Sequence, residues 1–348
     1  MNIEEALRHV AYPLLRMAAY CANALLFGLA PVILLVLRPA LASSQAPAPP
    51  AGRRRLGPRL EGLVQAALAA SAATAVTILV LQAALVSELT EGDVGRSSMA
   101  AVFETDFGRW YGLRLLLLCG LALLLVRKVG ELSMPRTSDR GAGILWWTTW
   151  ILMGAGLLMT SSLSGHAAAT EPVAGAIAND AVHLMAGSVW FAGIVVLTVV
   201  LPDAWTGRSA LQRLAMLAPA VDRFAVVALV SISVAAATGV LNSLLHIGAV
   251  NDLVDTGYGR SLTVKICLFT AIVGLGAINH YFVRKRLLSA LKEGRPSTAR
   301  RVFRRTIAIE LVVALAIMGA TGVLAGLSPT RAEAAARSAA DVWVSQDG

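Results

Sequence analysis

The chain has 348 residues, 57% of them hydrophobic, with a formal net charge of +9 and a mean hydropathy of +0.69. A soluble domain is about 45–50% apolar, so this composition excludes an ordinary soluble protein and indicates an integral membrane protein. Lipid offers no partner to unpaired backbone groups, and the apolar runs are continuous rather than alternating. They therefore predict transmembrane helices and not a barrel.

Eight such runs follow one another along the chain, each long enough for a helix to cross the hydrocarbon core. The predicted fold is therefore an all-α integral membrane protein with eight transmembrane helices. The predicted spans are 12–37, 62–87, 110–129, 144–163, 181–201, 223–246, 261–283 and 305–327.

The segments between these spans alternate sharply in charge. Segments 38–60, 127–143, 202–223 and 284–305 hold 21 of the 30 Lys and Arg residues, whereas the segments and tails of the other side hold 6. Basic loops stay in the cytoplasm, so both termini are predicted to face outward. The surplus positive charge then lies beside anionic lipid headgroups and requires no nucleic-acid partner.

The third and seventh spans begin with related sequences. "ETDFGRWYGLR" (104–114) and "DTGYGRSLTVK" (255–265) share an acid, Thr, an aromatic residue, Gly and Arg at a constant offset of 151. These matches predict an internal duplication into two four-helix halves that run in the same direction, related by an axis along the membrane normal. The predicted halves are 1–163 and 164–329, followed by an external tail at 330–348.

Three charged side chains inside the predicted spans are candidates for a functional role. Arg114 and Lys265 are about one turn into the lipid from the outer face, and Glu310 is about one turn in from the inner face. Intramembrane charges are costly and usually face the bundle interior. Two interpretations of Glu310 are open: a partner for the inner arginine cluster, which we favour, or a proton or ion relay.

Four of the five histidines fall on the predicted outer side. His9 precedes the first span, while three others stand at the outer ends of spans 4, 5 and 6: His166, His183 and His246. Imidazole binds copper in either oxidation state and thioether sulfur prefers Cu(I). We therefore predict a copper site formed by these three imidazoles, with sulfur from Met159 or Met185. The alternative is that the histidines only bind lipid headgroups.

Two neighbours of His183 are candidates for supporting roles. Asp180 lies three residues before it, where a carboxylate can orient a ligating imidazole. Trp190 lies seven residues after it on the same helix face and either walls off the site or only packs.

Several segments resemble the copper resistance protein D family. They are "ANDAVHLMAGSVWFAG", "RFAVVALVSISVAAATGVLNSLL", "TGYGRSLTVKICLFTAIVGLGAINHYFVRKRL" and "RRTIAIELVVALAIMGATGVLAGLSP". The resemblance covers about residues 179–329 best and includes His183, Lys265, Asn279 and Glu310. It implies copper handling at the bacterial inner membrane, in the direction of uptake, often beside a periplasmic copper-binding protein of the copper resistance C type.

The leading hypothesis is therefore a copper permease of the bacterial cytoplasmic membrane, not an enzyme. The chain has no P-loop sequence, so we do not expect it to hydrolyse ATP. The runner-up is a b-type cytochrome subunit, with His183 and His246 as axial haem ligands. A copper-binding sensor or assembly factor is a third possibility that the sequence does not separate from a transporter.

Overall fold

A computed structural model of the protein describes residues 10–43, 50–90, 104–127, 140–201, 209–293 and 296–331. Its secondary structure in these ranges is helical, and eight helices are long and apolar enough to cross a membrane. The predicted all-α fold with eight spans is thus confirmed. His9 and residues 332–348 of the predicted tail lie outside the described residues.

The helices are numbered α1 to α8 in chain order. They are α1 Tyr12–Val32, α2 Pro50–Thr90, α3 Asp106–Arg127, α4 Arg140–Leu163, α5 Val173–Val195, α6 Ala210–His246, α7 Gly257–Ile278 and α8 Pro296–Leu324. Turns of π-helix continue α1, α5 and α7 over Ile33–Leu37, Val196–Val200 and Asn279–Val283. Four shorter helices are Arg38–Ser43, His166–Ala169, Asp252–Asp255 and Arg284–Lys292.

Several helices begin well before the apolar segment that predicted them. Helix α5 starts at Val173 instead of 181, and α6 starts at Ala210 instead of 223. Hydropathy locates the residues that lie in hydrocarbon, whereas backbone hydrogen bonding continues until a cap ends it. For α6 that cap is Ser209, whose side chain accepts a hydrogen bond of 3.2 Å from the backbone of Gln212.

Helices α1 and α5 form the centre of the bundle. The most apolar window of α1 is 67% buried and that of α5 is 50% buried, against 17% for α6 and 11% for α7. The two central helices touch closely, because a Cβ built on Gly28 would lie 2.1 Å from the carbonyl oxygen of Ser188. One hydrophobic core includes residues of both predicted halves, among them Trp150 and Phe191.

The two ends of the bundle differ in chemistry. We call the end of the bundle that carries His166 and His246 the histidine end. Helices α4 and α6 finish there, and helices α5 and α7 begin there. The opposite end, which carries Arg38 and the exposed His280, is called the basic end. The two ends thus separate most of the histidines from the arginine-rich segments.

The two helices with related sequences begin with the same cap at the histidine end. The Thr105 side chain accepts a hydrogen bond from the Gly108 backbone at 3.0 Å, before α3. The Thr256 side chain accepts one from the Gly259 backbone at 2.9 Å, before α7. These paired residues stand at the predicted offset, although the duplication as a whole stays a prediction.

Candidate metal-binding site

A cavity of about 620 Å³ opens at the histidine end of the bundle. Its walls come from all eight long helices, α1 to α8, so the site depends on the whole bundle rather than on one hairpin. All three histidines of the predicted site line it: His166, His183 and His246. These are the three imidazoles from which the sequence analysis predicts a copper site, and that site stays a prediction.

Two of these imidazoles lie side by side. The ring centres of His166 and His246 are 6.3 Å apart. His166 stands on the short helix that joins α4 to α5, and His246 is the last residue of α6. The Nε2 atoms of both rings are buried and have no hydrogen-bond partner among the described residues.

The hydrogen bonds of these rings prepare Nε2 as a metal ligand. The Nδ1 atom of His246 lies 2.6 Å from the carbonyl oxygen of Asn242, which can only accept a proton. The backbone of Leu324, at the end of α8, forms a hydrogen bond with His166. A ring whose Nδ1–H is held by a carbonyl carries its free lone pair on Nε2, the usual arrangement in metal-bound histidine.

Protonation does not block His166 near neutral pH. Burial, and secondly the neighbouring imidazole of His246, lower the pKa of His166 below its usual 6.5. The ring is therefore neutral in neutral solution, as a metal ligand must be.

Tyr258 completes a triangle with the two rings. Its ring centre lies 6.3 Å from that of His166 and 6.3 Å from that of His246. Tyr258 is the aromatic residue of the repeated sequence at the start of α7. Its place beside the histidines depends on how α7 packs, which the sequence pattern does not contain.

His183 lies deeper than this pair. Its Nδ1 is 3.0 Å from the carbonyl oxygen of Ala235 and 3.1 Å from the hydroxyl of Thr238, both on α6. Those residues precede His246 by eight or more positions, which corresponds to roughly 12 Å along a helix. Accordingly, no group of three His, Cys, Asp or Glu side chains in the described part of the chain is arranged to hold a metal ion.

The predicted supporting residues take other places. Asp180 accepts hydrogen bonds from Ser162 at 2.7 Å and from Asn242 at 3.2 Å, and Ala235 rather than Asp180 orients His183. Trp190 is buried in the hydrophobic core, which supports its packing role. Met159 and Met185 are half-buried and do not belong to the cavity lining.

The intramembrane cations face inward, as expected from their cost in lipid. Arg114 is 4% exposed and donates hydrogen bonds of 3.0 Å to the hydroxyls of Thr160 and Ser161. Lys265 lines the same cavity from α7. Arg16 on α1 also lines it, a contribution that our sequence analysis missed.

The predicted relay residues near the basic end form a separate pair. The Asn279 side chain donates a hydrogen bond of 2.5 Å to the carboxylate of Glu310, which is 6% exposed. The favoured interpretation made Glu310 a partner of the arginine cluster, but its hydrogen-bond partner is Asn279. Neither residue lines the cavity at the histidine end.

Comparison with known proteins connects this architecture to copper. Residues 218–324 match the family model described as copper resistance protein D, and residues 6–176 match the model described as copper resistance protein D-like, N-terminal domain. No solved structure matches the chain significantly.

Three curated relatives show the extent of the similarity. The chain is 28% identical to the copper transport protein CutJ of Bacillus subtilis over 65% of its own length, which is 38% of that relative. It is 27% identical to copper resistance protein D of Pseudomonas syringae, over 66% of the chain and 70% of that relative. It is 30% identical to the inner membrane protein YebZ of Escherichia coli, over 68% of the chain and 75% of that relative.

Proposed function

This chain belongs to the copper resistance protein D family, and from that premise we propose that it moves copper across the bacterial inner membrane. Its eight apolar helices make it a multi-pass protein of that membrane. The direction we propose is uptake, from the outer face to the cytoplasm. The chain spans only 38% of the Bacillus relative that is named for copper transport, so transport is proposed for this chain and not inferred from that name.

The orientation in this proposal places the histidine end outside. It rests on the distribution of Lys and Arg, of which 21 lie in segments at the basic end and 6 at the histidine end. The inside-positive bias of inner-membrane proteins then puts the cavity mouth at the periplasmic face. A separate periplasmic protein of the copper resistance C type is the proposed donor.

One observation carries the proposed loading site: two buried imidazoles with unpartnered Nε2 atoms and ring centres 6.3 Å apart. A metal–nitrogen bond is about 2 Å long, so two nitrogens on one ion lie about 4 Å apart and their ring centres about 6 Å apart. The distance between the ring centres of His166 and His246 therefore matches that of two imidazoles bound to one copper ion.

His183 is proposed as the next station on the path inward. It lines the same cavity below the pair, and Ala235 holds its Nδ1, which leaves Nε2 as the ligand atom. A transported ion must bind well enough to enter and weakly enough to leave. A site of two imidazoles at the entrance, followed by a site with the single imidazole of His183, suits that requirement better than one closed site of three histidines. The thioethers of Met159 and Met185 would contribute only after a change in helix packing.

We also propose that the two halves of the chain are structural repeats. The equivalent caps of α3 and α7 support it, as do the π-helical turns Ile33–Leu37 and Val196–Val200 near the basic ends of α1 and α5. The proposed axis then passes between these central helices. It relates Phe107 to Tyr258 and Arg114 to Lys265.

The decisive experiment measures copper binding to the purified protein and copper flux into proteoliposomes. The variants His166→Ala and His246→Ala should each lower copper affinity by at least about tenfold, because one of two ligands is lost. His280→Ala is the matched control, since His280 is exposed at the basic end. Normal insertion with unchanged copper binding in both cavity variants would refute the loading site.

The same sample separates the remaining alternatives. Copper binding without flux would identify a sensor or assembly factor rather than a transporter. A Soret band in the absorption spectrum would identify the cytochrome alternative, which receives no support from the two matched families, because both are named for copper resistance.

A further inference from the structure

The charges around the cavity do not suit a bare metal cation. Among the described residues, three cationic side chains line it, those of Arg16, Arg114 and Lys265, whereas one carboxylate does, that of Asp180. With neutral imidazoles, the lining of the cavity therefore carries a surplus of positive charge. A copper ion that enters alone is repelled by this surplus.

These cations are not neutralised by neighbouring carboxylates. Arg114 is 4% exposed, and its hydrogen bonds go to the hydroxyls of Thr160 and Ser161, which carry no charge. Arg16 donates to the carbonyl oxygen of Ala325 and to the Tyr12 hydroxyl. Within the described ranges, none of the three cavity cations forms an ion pair.

The carboxylate in the lining attracts Lys265 through its charge without forming a direct ion pair with it. Asp180 accepts hydrogen bonds from Ser162 and Asn242, two uncharged side chains that tie α5 to α4 and α6. A buried charge is costly unless an opposite charge or several hydrogen bonds compensate it. The structure thus holds a nearly fully buried guanidinium that has no ion-pair partner among the described residues, and a lysine whose charge is offset only in part by Asp180, and both face one cavity.

We propose that the deeper part of this cavity binds a small anionic group between Arg114 and Lys265. Lys265 lies seven residues beyond Tyr258 on α7, roughly 10 Å further from the histidine end. The anion site is therefore distinct from the imidazole pair and lies below it. Arg114 offers a planar set of N–H donors suited to an oxyanion or a halide, and Lys265 adds a compact positive charge.

Two sources can supply this anionic group. The cavity mouth admits dissolved anions from the histidine end. The cavity also reaches the lipid-facing surface between α6 and α7, because Val240, Leu244 and Ile266 line it and are 61%, 64% and 46% exposed. A lipid headgroup can reach the same cations by that side opening.

The consequence for copper rests on the proposed function, whereas the anion site itself does not. If copper is the cargo, an anion held between Arg114 and Lys265 offsets the repulsion that the ion meets below His166 and His246. Copper would then pass through the cavity together with an anion. That anion would either bind the copper ion directly or lie beside it without binding it.

The test uses the full chain in nanodiscs of phosphatidylcholine, without copper, and measures binding of radioactive chloride against a gluconate background. The wild type should bind chloride saturably, and Lys265→Met and Arg114→Gln should each weaken binding by about tenfold or more. Arg114→Lys keeps the positive charge and should therefore retain most of the chloride binding. Lys285→Met is the matched control at an exposed position of the basic end and should leave binding unchanged.

A second arm decides the source of the anion. If chloride does not bind, but phosphatidylglycerol is retained by the wild type and lost from Lys265→Met in native mass spectrometry, the ligand is a lipid headgroup. The proposal is overturned if neither ligand depends on Arg114 or Lys265. Lys265→Met alone decides the result if Arg114→Gln does not fold.

These outcomes are separate from those of the proposed function. Chloride binding that persists in His166→Ala, while copper binding is lost, supports both proposals. Chloride binding without any copper binding refutes the transport proposal and leaves the anion site standing. Copper binding without any anion binding refutes the anion site and leaves the transport proposal standing.

Discussion

The contact between the two central helices offers a sharp test of the fold that builds the cavity. A Cβ placed on Gly28 of α1 would lie 2.1 Å from the carbonyl oxygen of Ser188 and 2.8 Å from the Cβ of Ala192, both on α5. Non-bonded carbon atoms prefer about 3.5–4.0 Å, so Gly28→Ala forces the helices apart by roughly 1 Å. Overpacking of this kind costs about 1–3 kcal/mol.

The matched control is Gly112→Ala in α3, where the added Cβ meets no atom within 4 Å. Both substitutions replace a helical glycine and gain the same helix propensity, up to about 1 kcal/mol. The difference between the two variants therefore isolates the contact, and we expect Gly28→Ala to be less stable than Gly112→Ala by about 1–3 kcal/mol.

Unfolding in mixed micelles of increasing sodium dodecyl sulfate, followed by tryptophan fluorescence, measures this difference. Gly28→Ala should unfold at a lower detergent fraction than the wild type, and Gly112→Ala at an equal or higher one. Equal midpoints for the two variants would show that α1 and α5 do not touch at Gly28, and the packing that frames the cavity would then be wrong.

Three further outcomes follow from the same structure. Protonation of His166 should weaken copper binding only below pH 6.5, because burial lowers the pKa of this imidazole, so a titration midpoint of the His166 ring above 6.5 contradicts this. Labelling of intact cells should reach a cysteine placed in 164–180 and miss one in 284–305, and the reverse pattern refutes the orientation. Asn279→Ala should lower the free energy of unfolding by about 1–3 kcal/mol, because the buried Glu310 carboxyl loses its hydrogen bond, and an unchanged free energy of unfolding excludes this contribution.

The depth of His183 shows why the candidate site was only partly predictable. An apolar run that starts at 181 places His183 at the outer rim, beside His166 and His246. Helix α5 instead begins at Val173, so His183 is ten residues into the helix, roughly 15 Å from its start. Hydropathy does not register those first turns, because small residues such as "AGAIAN" are compatible with either a loop or a helix.

The rotation of each helix about its axis was equally hidden from the sequence. Met159 and Met185 stand at the right height for a mixed nitrogen and sulfur site, yet neither lines the cavity. Tyr258 and Arg16, which line it, carried no sequence signal for a metal site. Which face of a helix points inward is decided by packing against several neighbours, and α1 and α5 are buried on most sides.

The sequence by itself determined the number of membrane spans, the all-α class, the resemblance to a copper-handling family and the gathering of histidines at one end. Each of these depends on composition and order along the chain, because lipid requires long apolar helices whatever their packing. Only the tertiary structure decided that His166 and His246 form a pair, that His183 lies below them, and that Arg114 and Lys265 face the same cavity. Those relations join residues from five helices, and their distances arise from close packing such as that of Gly28 on Ser188.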